Sequence, residues 1–226
     1  MKSDLKNIIT IDGTSSSGKT TISKILAKKL NFNLLDSGKL YRSIGFIASE
    51  SSQSLDSIEN LDGLVSNMSL KSDDDTCEFQ IFYKNKKIDH LLYDENVGKA
   101  ASIVSKIPRV RKCMLEIQHS CAKGKGLIAN GRDMGSEVFP NARLKLYVNA
   151  SLEIRAERRF QELINKGKIV RLEDIYESLK IRDESDMNRT ISPLKIPDNA
   201  HIIDTSTLKP DAIVDKILNL YTITEN

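Results

Sequence analysis

The chain has 226 residues, of which 39% are hydrophobic and 29% charged, and a formal net charge of +3. This is the size and composition of one large globular domain, or of a core domain with inserts. So small a net charge excludes a broad basic nucleic-acid groove, and apolar runs no longer than a strand exclude a membrane span.

Met1–Asn7 is charged and lacks a signal-peptide core, which predicts no secretory leader. Asn7–Asp12 reads as a buried strand. Residues 13–20 follow as Gly-Thr-Ser-Ser-Ser-Gly-Lys-Thr, and Thr21–Leu30 carries apolar residues at helical spacing. Strand, glycine loop and helix are the context required by the phosphate-binding pattern G-x-x-x-x-G-K-[ST]. The backbone N–H groups of Gly13, Thr14, Ser15, Ser16, Ser17, Gly18, Lys19 and Thr20 are therefore expected to cradle the phosphates of a nucleotide such as ATP. In that reading Lys19 reaches the β- and γ-phosphates and the Thr20 hydroxyl holds Mg²⁺.

Further along, Phe32–Asp36 predicts a second parallel strand and Ser37–Ala48 a helix, followed by a loop with a short helix over 51–62. Cys77–Tyr83 and Lys87–Leu91, joined at Lys84–Lys86, read as an antiparallel hairpin. A hairpin interrupts β-α alternation, so approximately 63–95 is taken as an insert. Helices are expected over 95–105 and 108–123, strands over 126–129, 144–148 and 201–204, and a last helix over 210–221. Ser151 caps a long helix that Gly167 ends, and 172–186 is a second helix. If these two helices are merely solvated, their charges are expected to form i,i+4 pairs such as Arg158–Glu162. The expected fold is α/β: about five parallel strands flanked by helices, a lid over approximately 155–190, and the small antiparallel β insert, within a single domain spanning 1–226.

In such sheets ligands bind beyond the carboxyl ends of the strands. Those ends carry the phosphate loop, Asp36-Ser37 with Arg42 nearby, and Asn130-Gly131-Arg132-Asp133. The lid region adds Arg155, Arg158, Arg159, Arg171, Arg182 and Arg189. Arginine binds phosphate oxygens bidentately, and phosphoryl transfer needs chiefly positive charge around the moving group. The three cysteines, Cys77, Cys113 and Cys121, form no C-x-x-C pair and read as packed thiols, which suits a cytoplasmic protein. His90, His119 and His201 are too dispersed to ligate a metal together.

Beyond the loop, Leu34–Gly38 with Tyr41 and Arg42, Ala100–Ser102, Pro108–Arg111, Gly131–Gly135 with Val138–Pro140, and Arg182, Asp183, Asp186, Asn188 and Arg189 form an ordered set. Together they resemble the bacterial cytidylate kinase family over nearly the whole chain. The resemblance implies a monomeric ATP- and Mg²⁺-dependent kinase of CMP and dCMP that needs no nucleic-acid or membrane partner. It also implies roles. Ser37, Arg111 and Asp133 would contact the cytosine edge, and Arg42 and Arg132 the monophosphate. Ser102, Arg182 and Asp186 would lie near the sugar, with Arg158, Arg182 and Arg189 around the transferring phosphoryl group. Asn130 stands where the family usually has Asp, Ser185 where some relatives carry arginine, and the loop interior and Thr20 also depart from the usual pattern. Two other readings of the phosphate loop are a kinase of another small molecule and a GTP-dependent switch. The switch requires Asn-Lys-x-Asp, and Asn85-Lys-Lys-Ile-Asp89 places its aspartate one residue late.

Overall fold

β1 (Ile8–Asp12) is buried at every position, as only a strand covered on both faces can be. The computed structural model, which describes residues 7–224, places it at the centre of a five-stranded parallel sheet. From edge to edge the sheet runs β2 (Asn33–Asp36), β6 (Leu127–Asn130), β1, β7 (Leu144–Asn149) and β8 (His201–Asp204). The alternation of β1 divides two cores. Ile9 and Ile11 pack with Ile22 and Leu26 of α1 (Lys19–Leu30) and with Ile213 and Ile217 of α8 (Pro210–Ile223). Ile8 packs on the other face with Leu40 and Ile44 of α2 (Ser37–Glu50) and with Val110 and Met114 of α5 (Pro108–Ser120). Burial of both faces fixes the register, because a one-residue slip would exchange the two sets. The expected sheet, its strand number and its helical cover are all present.

The insert differs in detail from the expected hairpin. It has three strands, β3 (Met68–Ser72), β4 (Phe79–Tyr83) and β5 (Lys86–Lys87). β3 escapes sequence reading because its pattern is half-polar and no residue of it is fully buried. The second predicted arm stops at Lys87, and Asp89–Leu91 forms a 3₁₀ turn. Asp89 turns the chain there, since its carboxylate accepts the Ile81 N–H at 2.9 Å and pairs with Lys39 of α2. The β4–β5 connection is the two-residue Lys84-Asn85, both left-handed (φ 47° and 62°), a backbone twist that matches a tight hairpin. The insert also reaches the main sheet: Leu34 N–H donates to Cys77 O at 2.6 Å beside a bridge between Leu34 and Glu78. The short helix, α3, lies at Leu61–Ser66, later than expected, where Asn60 caps it by accepting from Gly63 N–H. α5 stops at Ser120, before Lys123.

α4 (Glu95–Val104) packs against α2. α6 (Leu152–Asn165) and α7 (Leu172–Asn188) form a helical hairpin with a separate small core of Ala156, Leu163, Ile175 and Leu179. Ser151 caps α6 by accepting from Ile154 N–H at 3.3 Å, and left-handed Gly167 (φ 72°) follows its end. Helix α7 continues through Asn188, two residues past the expected stop. The predicted Arg158–Glu162 pair does not form. Glu162 pairs with Arg159 at 2.8 Å and with Lys166 at 2.5 Å, while Arg158 turns to Thr205.

Candidate active site

β1 delivers the chain into the phosphate loop at Gly13, whose φ of 142° is left-handed and whose Cβ would lie 1.8 Å from Val148 O. No side chain fits there. Gly18 (φ 86°) then turns the loop into α1. Residues Ser15 to Thr20 line a cleft of about 1040 Å³ beyond the carboxyl ends of the strands. Lys19 lies folded over its own loop, bonded to Thr14 O and to Ser17 Oγ at 3.3 Å. Burial lowers its pKa well below the ordinary lysine value, and the nearby Arg132 lowers it further.

Opposite the loop, α2 begins at Asp36, which caps it by accepting from Lys39 N–H at 3.2 Å. Ser37 is buried at the cleft wall and its Oγ accepts from Gln118 Nε2 at 3.1 Å. Arg42, one turn on, lines the cleft while donating to Leu92 O at 3.0 Å and Asp94 O at 3.3 Å. Desolvation lowers its pKa despite the favourable field of Asp36.

The β6 turn supplies the third wall. Arg132 donates through Nε to Asp186 Oδ2 at 2.9 Å and through Nη2 to Ser15 Oγ at 2.7 Å. Asp133 is buried, bonded by Arg111 Nη2, with Arg189 Nη2 3.7 Å from its other oxygen. The Arg111 guanidinium lies 5.5 Å from the Tyr41 ring centre and also donates to Ser105 O at 3.2 Å. Burial pushes the Tyr41 hydroxyl up to about 12, so it stays protonated.

The helical hairpin closes the fourth side. Arg158 donates to Thr205 Oγ1 at 3.1 Å and to Thr205 O at 2.6 Å, beside Gly18. Arg182 is open to the cleft but ringed by protein. Desolvation, and then Arg132, lower its pKa to about 10, which leaves it charged at neutral pH. Asp186 has the opposite balance: burial opposes its charge, but Arg132, Arg182 and Arg189 hold its carboxyl below the usual range.

Of the residues selected from the sequence, Ser15–Thr20, Ser37, Arg42, Ser102, Arg132, Asp133, Arg158, Arg182, Asp186 and Arg189 line this one cleft. Gly13, Thr14 and Arg111 lie behind its surface, the first two shaping the loop and the third holding Asp133. Sequence reasoning passed over Asp12, and it named Arg155 and Asp183 without giving either a role in the site. Asp12, buried at the end of β1, accepts from Met134 N–H at 2.8 Å and Gly135 N–H at 2.7 Å, and thereby ties the phosphate loop to the β6 turn. Its pKa is raised to about 6 by burial, which outweighs the two N–H bonds. A charge closing a buried strand was the available signal. For Arg155 and Asp183 the sequence offered membership of the lid's charged set but no sign of their pairing, since each looks like one more charge on a polar helix.

The residues present fit a magnesium ion. Asn130 Oδ1 is buried with no hydrogen-bond partner among the described residues, while its Nδ2 lies 3.4 Å from Thr20 Oγ1. Asp36 is the register partner of Asn130 on β2 and lines the same cleft. These are oxygen donors at a phosphate loop, the partial shell that Mg²⁺ takes when phosphates and water complete it.

Fold and cleft together define a phosphate-loop phosphotransferase of the α/β class. The sequence profile of the cytidylate kinase family matches residues 9–223. The chain is 36% identical to a cytidylate kinase of Aeromonas salmonicida (strain A449) over 93% of this chain and 92% of the relative. It is 38% identical to one from Marinomonas sp. (strain MWYL1), with 93% of each covered. With cytidylate kinase 1 of Haemophilus influenzae it shares 39% identity over 93% of this chain and 91% of that protein. The chain belongs to the cytidylate kinase family.

Proposed function

We propose that this chain transfers the γ-phosphoryl group of ATP to CMP or dCMP, giving ADP and CDP or dCDP by direct in-line displacement. The observation that carries the reading is the buried Asp133 with Arg111 behind it, set in the same cleft as Arg42, Arg132 and the phosphate loop. Asp133 accepts from the exocyclic amine of cytosine, and Arg111, which is bonded to Asp133 and Ser105 O, turns toward the base to donate to its N3 and O2. Ser37 adds a hydroxyl beside them, and Ser102, Arg182 and Asp186 contact the sugar. Arg42 and Arg132 clamp the monophosphate through charge-assisted bonds. To accept it, Arg132 exchanges its bonds to Asp186 and Ser15 for phosphate oxygens.

On the donor side, the loop N–H groups and the α1 N-terminus hold the triphosphate, and Lys19 leaves Thr14 O for the β- and γ-oxygens. Thr20 and Asn130 would hold Mg²⁺, which when bound would supply positive charge to the phosphates. Arg158, Arg182 and Arg189 offset the charge of the transferring group, the largest contribution protein makes to such a reaction. Residues 155–190 act as a lid that excludes water, and 63–95 as an insert walling the acceptor side, within one domain over 1–226. Among the described residues no helix is long and apolar enough to cross a membrane. We take the protein to work as a cytoplasmic monomer without nucleic acid.

The test is a comparison of CMP, dCMP, UMP, AMP and GMP as acceptors with ATP and Mg²⁺. CMP and dCMP should exceed UMP by a wide margin, because uracil leaves both buried partners unpaired, a mismatch worth as much as roughly 10⁴. Purines should scarcely react. Asp133→Asn should narrow the CMP-to-UMP ratio. Equal use of UMP and CMP by the unaltered protein overturns the reading.

A further inference from the structure

Ser15 is held at three atoms by residues far away in sequence. Its N–H donates to Asp183 Oδ1 at 3.2 Å, its carbonyl accepts from Arg155 Nη1 at 3.1 Å, and its hydroxyl accepts from Arg132 at 2.7 Å. Arg155 and Asp183 are bonded to each other, only 5% and 6% exposed, and Arg155 Nε is further fixed on Ala150 O at 3.0 Å. The next residue, Ser16, is left-handed at φ 58°. A non-glycine residue held there costs about 1–2 kcal/mol, so the loop turn does not hold itself for free.

We infer that the buried Arg155–Asp183 pair is a positioning device that grips the backbone on both sides of Ser15, holding the phosphate loop in its binding shape and fixing the root of the helical hairpin to it. Two observations argue against a role in stability alone. First, a buried ion pair is a weak stabiliser, since desolvating both charges consumes most of their attraction, and apolar replacement is often neutral or better. Second, beyond the Arg155 bond to Ala150 O, both members of the pair bond the backbone of a single loop residue, Ser15. Arg155 lies in the first turn of α6, and Asp183 stands one residue from Arg182 and three from Asp186 on α7. The pair therefore sets where those two cleft residues stand relative to the loop.

The inference builds on the phosphotransfer reading, but its test reads nucleotide binding by calorimetry, with ADP as the probe. The double variant Arg155→Met/Asp183→Leu should melt within a few degrees of the unaltered protein. It should nevertheless bind ADP at least tenfold more weakly, the loss expected from one charge-assisted contact. Affinity for CMP should fall at least threefold less than affinity for ADP. Arg155→Lys keeps the charge but loses the forked grip, so it provides a folded single variant with the same ADP-selective loss. Adding Ser16→Gly to Arg155→Lys should restore ADP affinity at least threefold, because glycine adopts that turn unaided. Normal ADP affinity in either folded variant overturns the inference, as does equal loss of ADP and CMP affinity. An unaltered protein that binds ADP but does not phosphorylate CMP would remove the proposed function and leave this inference standing.

Discussion

The parallel sheet and the α6–α7 hairpin contribute to one cleft but are held in place by different forces. The sheet is clamped between two large apolar cores, so the strand ends and the phosphate loop they carry have one available position. The hairpin has an apolar core of only four buried residues, and what docks it to the sheet is polar: Arg155–Asp183 on Ser15, Arg132–Asp186, and Arg158 on Thr205. Apolar packing is non-directional but dense and resists displacement, whereas the bonds of Arg132 and Arg158 at the cleft can be exchanged for bonds to phosphate while the buried Arg155–Asp183 pair holds the hairpin root. The rigid part thus presents the donor site, and the exchangeable part can follow the substrates.

The sharpest break of this comparison is Lys19→Met. Lys19 belongs to the rigid side, so the variant should stay folded with an unchanged melting temperature. Its kcat should drop by roughly 10²–10³ or more, as when a preorganised charge-stabilising group is removed. Near-normal turnover in steady-state assays would take the loop out of the chemistry.

Next come paired cavity variants. Leu146→Ala, in the sheet core with no exposed area, should cost about 3–5 kcal/mol and lower the global melting transition. Leu179→Ala, in the hairpin core, should leave that transition nearly unchanged and raise amide exchange across α6 and α7 alone. A single transition lowered equally by both would mean that the two regions are one cooperative unit.

Asp12 joins the two kinds of holding, since it is a buried charge within the rigid part. Its folded-state pKa of about 6 lies above the ordinary value of 3.8, so between these values the folded protein binds more protons than the unfolded chain. Stability should therefore fall as pH rises from about 4 to 6, by up to about 3 kcal/mol, and stay level for this group above that window. Asp12→Asn should flatten that slope in denaturant titrations, although it loses one N–H bond at every pH. A slope unchanged in the variant would assign it to other groups.

The smallest effect is expected at the exchangeable contacts. Arg132→Ala should weaken CMP use by roughly ten- to a hundredfold, or about 1.5–3 kcal/mol, with much less change in ATP affinity. By calorimetry, a larger loss for ATP than for CMP would reverse the assignment of the two phosphate sites.

The legible part of this protein was whatever is local in the chain. The sheet strands appeared as apolar runs, and the loop as two glycines, a lysine and a threonine at fixed spacing. Helix ends were marked by Ser151, Pro108 and Gly167, because periodicity and caps act over a few residues. The cleft arginines were legible as a set, but their partners were not. Arg158 stands four residues from Glu162 and instead bonds Thr205, 47 residues on. β3 was hidden because its pairing with β4 is made by backbone groups that leave no periodic trace in a half-exposed strand. The commitments of buried charge, Asp12 on the β6 turn, Arg111 on Asp133, and Arg155 with Asp183 on Ser15, came only with the tertiary structure. In sequence a charged residue looks the same in water as in a core; only the packed fold removes the water and obliges each buried charge to find a partner.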